Sequence, residues 1–204
     1  MSRLLLILAL CLYGVFSHPS YNDRVRILAA KVEESNVSFE YSFVTKGTEV
    51  EISGSGNIVL QGDSFLQKGN GLAVWCDGIS KWTVDEYAGE VVIEPLEGQG
   101  IAANPALIVG SLESEFTWSP EGTGAVFNSA PATVYTLVPK SKETGIKKVL
   151  LYFKGAELSG SVLYPDDNTS IVLTISSLKF SAPCDMSVYA LTDFDDSYIV
   201  TDLR

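Results

Sequence analysis

The cysteines and the single histidine are the side chains with the greatest potential for chemistry in this sequence. The stretch VWCDGISKW, Val74–Trp82, places Cys76 against an Asp-Gly turn between two tryptophans. A cysteine in such surroundings can be a redox centre, a metal ligand or half of a structural disulfide. The other cysteines are Cys11 and Cys184, no CxxC motif occurs, and the one histidine is His18. A Cys/His metal site therefore lacks ligands, and a nucleophilic cysteine or serine lacks its histidine base.

Acidic clusters offer a second kind of chemistry, but the sequence favours a structural role for each of them. Asp193, Asp195 and Asp196 could supply paired carboxylates for a glycosidase, but an acidic run near a chain end is typical of a solvated face. The segment PDDN, residues 165–168, lacks the ordered spacing of a calcium loop and predicts a turn. The sequence thus predicts no catalytic residues, no metal site, no cofactor and no enzyme activity.

The N-terminal residues predict a cleaved secretory signal peptide. Arg3 precedes a 13-residue apolar run from Leu4 to Phe16, which is too short to span a bilayer. Val15 and Ser17 are small enough for the −3 and −1 sites, so we place cleavage after Ser17. The predicted organisation is a signal peptide over residues 1–17 and one domain over residues 18–204.

Export bears directly on the cysteines. Lipidation of Cys11 is an alternative to simple cleavage, although Leu10 stands where lipoprotein processing requires Gly, Ala or Ser. Cleavage leaves Cys76 and Cys184 in an oxidising compartment, where disulfides persist. We therefore predict a Cys76–Cys184 disulfide worth roughly 4 kcal/mol or less. Buried unpaired cysteines are the alternative, because they too are common.

The charge of the chain argues against nucleic acid as a partner. Its formal net charge is −11, and loss of Arg3 with the leader makes it −12. No basic patch remains that could neutralise a run of phosphates.

The periodicity of the apolar residues predicts one helix followed by an antiparallel meander. Ser20 is a plausible N-cap, and Val25, Leu28 and Val32 recur at helical spacing before an end near residues 34–36. Period-2 alternation then begins at residue 38, and turn residues recur about every ten positions. Roughly ten strands with one apolar face must stack as two sheets or curl into a barrel.

The central segment, residues 97–133, departs from the strand pattern. Asn104 as N-cap and Pro105 at the first helical position predict a short apolar helix, ALIVGSL. The rest is predicted to be a loop whose aromatic residues Phe116, Trp118 and Phe127 anchor it on an apolar surface, with a lid as the alternative role.

One parity of the strands supplies many large apolar side chains. They suit either a packed core or a cavity for an apolar ligand, and the pattern alone does not separate the two. The cavity candidates are Phe39, Tyr41, Phe43, Leu60, Phe65, Leu72, Val74, Leu151, Phe153, Ile171 and Leu173.

The order of several motifs resembles a known family. FEYSF, GNIVLQGDSFL, VWCDGISKWTVD, NPALI, YTLVPK, a long segment from IKKVLLYFKG to ISSLKF, and YIVTDLR follow one another over nearly all of residues 18–204. This sequence resembles the periplasmic lipoprotein carrier family, LolA, and especially its Bacteroidetes-type members.

The resemblance implies an unclosed antiparallel β-barrel, mainly β, with an N-terminal helix and a short helical lid. It implies a periplasmic monomer without a cofactor whose apolar interior holds the acyl chains of lipoproteins received from an inner-membrane lipoprotein-releasing ABC transporter. The lid residues would be Asn104, Pro105, Leu107 and Ile108.

One departure from the family concerns the lid. Proteobacterial members carry an Arg-Pro pair whose arginine bonds the lid, and here the matching stretch is Gln61-Gly62-Asp63. The lid latch and a hand-off to an outer-membrane receptor are therefore not implied for this chain. The alternative function is a LolA-like lipid-binding sensor or regulator of envelope stress without a transport role.

Overall fold

The computed structural model describes residues 23–47, 49–96 and 105–204, with side chains described from residue 108 onward in the last range. In this part of the chain one helix, α1 (Arg24–Glu33), precedes a sheet of twelve strands. The strands are β1 Asn36–Lys46, β2 Ser53–Gln61, β3 Ser64–Gly69, β4 Leu72–Cys76, β5 Ser80–Asp85, β6 Glu90–Pro95, β7 Phe116–Phe127, β8 Ala130–Pro139, β9 Lys148–Lys154, β10 Glu157–Tyr164, β11 Ser170–Ser181 and β12 Ile199–Asp202.

The shorter helical elements lie between β6 and β7 and near the C-terminus. A 3-10 helix, Pro105–Ser111, leads directly into α2, Leu112–Glu115. We call these two elements the helical segment. Two further 3-10 turns are Lys142–Thr144 and Met186–Tyr189.

The sheet is open, with strand order β12-β6-β5-β4-β3-β2-β1-β11-β10-β9-β8-β7. Ten of its pairings are antiparallel, and the eleventh joins β12 to β6 in parallel. The predicted unclosed antiparallel architecture is confirmed, with twelve strands in place of about ten. A long connection joins β11, in the middle of the sheet, to β12 at its edge. This length allows β12 to pair with β6 in the parallel direction.

The prediction that residues 116–127 form a loop is wrong, since they form β7, the edge strand beside β8. Its burial pattern explains the error: only the terminal residues Phe116 and Phe127 are buried, so no period-2 signal exists. Two irregularities, at Pro120/Gly122 and Thr123/Ala125, interrupt its ladder with β8. Proline and bulges are typical of sheet edges, where they discourage pairing with other chains.

Helix α1 begins at a side-chain cap. The Oδ1 atom of Asp23 accepts hydrogen bonds from the backbone N–H groups of Val25 and Arg26, at 3.2 and 3.3 Å. The structure thus places the cap at Asp23, while the predicted cap Ser20 lies outside the described residues. The helix buries the stripe expected from its spacing, Val25, Leu28, Ala29 and Val32.

One apolar cluster joins this stripe to the sheet. It includes side chains from β1 to β4 and from β7 to β11, together with α1 and the helical segment. Strands so far apart in the sheet order share one core only because the sheet curves around the helix. We call the sheet face that carries this cluster the inner face, and α1 with the helical segment the cover.

The opposite, outer face is also apolar in two places. On β5 and β6, the side chains of Trp82, Val84 and Ile93 lie beneath residues of the 190–198 segment. On the other half of the sheet, Phe127 folds over β10 and stacks on Tyr152 with ring centroids 4.5 Å apart. Strands that are covered on both faces are apolar at both parities, which is why β9 reads VLLYF.

Gly160 allows the close approach of Phe127. A Cβ atom at this position would lie 2.5 Å from the Phe127 ring and 2.3 Å from the backbone oxygen of Leu173. We expect Gly160→Ala to lower the free energy of unfolding by about 1–3 kcal/mol, because backbone atoms of β11 cannot move aside. Urea denaturation measures this.

The matched control is Gly110→Ala, whose Cβ would meet the Leu60 side chain at an ordinary 3.5 Å. This variant should be neutral or more stable by up to about 1 kcal/mol. Equal stabilities of the two variants would contradict the steric account.

Candidate inner-face site

The inner face brings together most of the side chains that the sequence nominated for an apolar cavity. Seven of them belong to its buried cluster, each 8% exposed or less: Phe39, Tyr41, Leu60, Phe65, Leu151, Phe153 and Leu173. Three more are half-buried and pack against the cluster: Phe43, Val74 and Ile171. They converge because alternate residues of each strand face the same side of the sheet.

Leu72 is the exception among the nominated residues, because the structure does not place it in the cluster. Its side chain is 43% exposed. It shares the parity of Val74 but lies at the first residue of β4, next to the Asn70-Gly71 turn. The alternation of residues along β4 predicted that Leu72 faces inward with Val74. The cover does not extend to that end of the strand, so the side chain stays exposed.

The cover supplies residues that the sequence pattern only partly indicated. Of the predicted lid residues, Ile108 is 1% exposed within the cluster. Asn104 lies outside the described residues, and for Pro105 and Leu107 only the backbone, in the 3-10 helix, is described. Val109 and Leu112, which were not nominated, are buried beside Ile108.

Apolar contact dominates the packing of the cover on the sheet, with a few polar contacts at one end of α1. The indole N–H of Trp118 donates to Oδ2 of Asp23 at 2.9 Å. The backbone N–H of Arg24 donates to the hydroxyl of Tyr135 at 3.4 Å, and Lys140 donates to the backbone oxygen of Glu113. Asp23 thus both caps α1 and fastens it to β7.

Tyr41 is a polar point within the inner face. Its hydroxyl accepts a hydrogen bond from the side-chain amide of Gln67 at 2.5 Å. Burial raises the pKa of this phenol above its ordinary value, and the bond from Gln67 opposes the shift. The residue therefore stays a neutral hydrogen-bonding group at every physiological pH.

Two cavities open along the two sides of α1. One, of about 560 Å³, lies toward β7 and is bordered by polar groups including Arg26, Glu113 and Lys140. The other, of about 370 Å³, lies toward the β9–β10 turn and the end of β11, with a lining that is largely apolar. Both volumes fall in the range of small-molecule sites.

The C-terminal segment is fixed to the sheet by a polar cluster that is buried at Asn36 and Tyr189 and exposed at Cys184. The side-chain amide of Asn36 donates to the Tyr189 hydroxyl at 2.6 Å and approaches the Cys184 sulfur at 3.1 Å. Oε1 of Gln61 accepts from the Cys184 backbone N–H at 2.8 Å. Burial and the contact with Cys184 raise the pKa of Tyr189. Gln61, in the stretch that the resemblance matches to the family's Arg-Pro pair, thus contacts the C-terminal segment.

The predicted disulfide is not formed, and both cysteines of the described chain are free. The Cys76 sulfur is buried and lies 3.8 Å from the Asp63 backbone oxygen, while the Cys184 sulfur lies against Asn36 and Tyr189. The two sulfurs are occupied by different neighbours, so neither is directed at the other. Burial also raises the pKa of the Cys76 thiol, which makes it a poor nucleophile.

The VWCDGISKW stretch is a β-hairpin tip, as its Asp-Gly pair indicates. Oδ1 of Asp77 accepts from the backbone N–H groups of Ile79 and Ser80, at 2.9 and 2.8 Å. Gly78 adopts φ of +90°, a backbone conformation that glycine reaches without strain. The acidic turn at 165–168 is confirmed too, with Asp166 bonded to the backbone N–H groups of Asn168 and Thr169.

Comparison with family models and with curated proteins finds no match. Among solved structures, an uncharacterized conserved protein from Thermus thermophilus is similar at a TM-score of 0.54 and 11% identity, over 87% of this chain and 96% of its own. A LolA superfamily protein from Nitrosomonas europaea aligns at 0.46 and 11% identity, over 82% and 97%. A DUF1329 family protein from Desulfovibrio piger aligns at 0.46 and 13%, over 82% and 95%.

The open antiparallel sheet, the N-terminal helix and the short helical cover are the architecture that the sequence resemblance implied. Identities of 11–13% concern the fold alone, since one fold can carry many functions. Among the described helices, none has the length and apolar character needed to cross a membrane.

Thiol accessibility tests the placement of the two cysteines. Under denaturing, non-reducing conditions, a chain comprising residues 18–204 should show two free thiols. In the native state Cys184 should react rapidly with an aromatic disulfide reagent and Cys76 slowly, because Cys76 is 0% exposed. Cys184→Ser should abolish the fast phase, while Cys76→Ser serves as the control that retains it. Absence of free thiols after denaturation would contradict the structure.

Proposed function

We propose that this protein is a periplasmic carrier that shields the acyl chains of lipoproteins against the inner face of its sheet. The observation that carries the proposal is the way in which this face is covered. Short helical elements, not further strands, cover it, and they are held mainly by apolar contact. A cover of this kind can be exchanged for another apolar surface without breaking a β-ladder.

The energetics of burial suit such an exchange. The transfer of a 16-carbon acyl chain from water to an apolar site is favourable by roughly 12 kcal/mol, at about 0.8 kcal/mol per methylene. The cover residues Ile108, Val109 and Leu112 occupy the inner face in the closed state, each at most 3% exposed. An acyl chain that displaces them replaces one apolar contact with another. The net free energy of loading is therefore small, and cargo can be both taken up and released.

The predicted leader and the proposed cargo fit one cellular setting. Residues 1–17 would direct the chain to the periplasm, where it would act as a monomer. Acylated lipoproteins would be the cargo, received from an inner-membrane lipoprotein-releasing ABC transporter and delivered to the outer membrane. The proposal requires no cofactor and no enzymatic step, because loading and release make and break only noncovalent contacts.

Without the family's arginine, the cover requires a different attachment to the sheet. Gln61 contacts Cys184 of the C-terminal segment. The bond between Trp118 and Asp23 joins α1 to β7 instead. A hydrogen bond to a charged group is worth about 1.5–3 kcal/mol, enough to bias a cover between closed and open states.

Recovery of cargo tests the proposal directly. The protein purified from the periplasm should carry acylated lipoprotein, detected by native mass spectrometry. A synthetic triacylated lipopeptide should bind, whereas the same peptide without acyl chains should not. Labelled lipopeptide should then pass from the carrier to acceptor vesicles. Binding without transfer would support the sensor alternative, and equal binding of the deacylated peptide would contradict an acyl-chain site.

Trp118→Phe tests the role of the cover. This variant keeps an aromatic side chain but loses the indole N–H that reaches Asp23. We expect a fluorescent acyl probe to associate about tenfold faster, because about 1.5 kcal/mol of cover attachment is removed. Stopped-flow fluorescence measures the rate.

The matched control is Trp75→Phe on the outer face, where Trp75 packs in the other cluster under the Lys68 ammonium. Its association rate should equal that of the wild type. Equal rates for all three proteins would refute the proposed opening of the cover at Trp118.

A further inference from the structure

The cavity between α1 and the turn from β9 to β10 has an apolar lining with a charged rim. Its volume is about 370 Å³. Leu28 and Leu158, which belong to the inner-face cluster, contribute to its floor, and the half-buried Leu178 and Phe180 contribute the wall from β11. The cavity is therefore a groove that leads from the surface to the edge of the inner-face cluster.

Arg24 brings a cation to this groove. The residue lines the cavity, and its Nη1 atom is buried without a hydrogen-bond partner in the described part of the chain. A buried donor left unpaired costs about 1–3 kcal/mol, and more when it is charged. Native proteins rarely retain such a group unless something else satisfies it. The missing partner is an acceptor, and a guanidinium prefers an anionic one.

Lys31 places a second cation on the same side of the helix, seven residues or about 10 Å further along. Its ammonium lies 5.5 Å from the centroid of the Phe180 ring, so it borders the same groove. The exposed carboxylate of Glu157 also lines the cavity and is the one acidic side chain among its lining residues. The lining thus has a net positive charge, in a chain whose overall charge is −11.

We propose that this groove binds a single-chain amphiphile with an anionic head, either a carboxylate or a phosphate. The head accepts a hydrogen bond from the Arg24 guanidinium, and the alkyl chain lies along Leu28, Leu158 and Leu178 toward the inner face. This proposal rests on the proposed function, since it assigns a head-group preference to a groove that opens onto the inner face of the sheet. The cations alone would not make a binding site for an amphiphile. The site also needs the apolar floor next to the Arg24 guanidinium, whose Nη1 lacks a partner in the described part of the chain.

The test compares four probes that separate charge from alkyl contact: decyl phosphate, decanoate, decanol and inorganic phosphate. Binding is measured by NMR titration at low ionic strength and below micellar concentrations, following the backbone amides of Ile27 and Gly155, two lining residues. The variants are Arg24→Gln and, as the matched control, Arg26→Gln, whose exposed arginine lies on the same helix but borders the other cavity.

Wild type and Arg26→Gln should bind decyl phosphate and decanoate, and Arg24→Gln should bind both at least about tenfold more weakly. Decanol should bind more weakly than either and equally to all three proteins. Preference for one anionic probe identifies the source of the head group: decanoate indicates a free fatty acid and decyl phosphate a phosphorylated lipid. Equal affinity of Arg24→Gln and wild type would overturn the proposal. So would inorganic phosphate binding as tightly as decyl phosphate, or no binding of either anionic amphiphile.

The thermal midpoint of Arg24→Gln should equal or exceed that of the wild type, because the substitution removes an unpaired buried donor. If this variant fails to fold, Leu178→Ser provides the second test. Leu178 is half-buried, and its substitution should weaken the binding of all three ten-carbon probes while leaving the order of their affinities unchanged.

The triacylated lipopeptide distinguishes this proposal from the proposed function. Its binding to wild type with no binding of decyl phosphate or decanoate would overturn the head-group site alone. Binding of either anionic amphiphile without the lipopeptide would overturn the carrier function and leave the anionic site in place.

Discussion

The inner face of the sheet must be kept from water, and the rest of the structure depends on that constraint. A flat sheet of twelve strands would leave this face too broad for one ten-residue helix to cover. The sheet instead curves until strands as distant in its order as β4 and β7 share a cluster with α1. The helical segment completes the cover with Ile108, Val109 and Leu112. The burial of apolar surface, about 25 cal/mol per Å², stabilises this arrangement without directional bonds.

Directional bonds are concentrated elsewhere, where the chain has to stay in place. The C-terminal segment is fastened by Asn36, Gln61 and Tyr189, and turns such as that at Asp77 are closed by side-chain bonds to the backbone. The sheet with its turns and C-terminal segment is thus fixed by hydrogen bonds, whereas the cover is held mainly by apolar contact. Such a division is what a protein needs if one part is to open while the remainder stays folded.

The sequence predicted the elements whose signals are local and missed those that depend on distant neighbours. Spacing in α1, the period-2 run at Phe39–Phe43 and the Asp-Gly turn each identify their structure from adjacent residues alone. The strand β7 was not predicted, because it is a strand through its pairing with β8 and shows no alternation of apolar and polar residues. The site shows the same limit: parity nominated ten residues that the inner-face cluster contains or contacts, together with Leu72, which lies beyond the reach of the cover. No sequence signal placed the Arg24 guanidinium in an apolar groove or Trp118 against Asp23, because both follow from how α1 lies on the sheet.

The bond between Asn36 and Tyr189 has a consequence for how the chain assembles. It joins residues 153 positions apart, from the first strand and from the segment that precedes the last. Contacts of such separation form late, because the entropy of closing a long loop comes before any gain from contact. If export presents the chain from its N-terminus, most of the sheet can form while the edge of β6 and the outer face at Trp82 still await the 190–202 segment. An exported chain cut short near residue 185 would therefore leave an unpaired edge beside an exposed apolar surface, the features that drive aggregation.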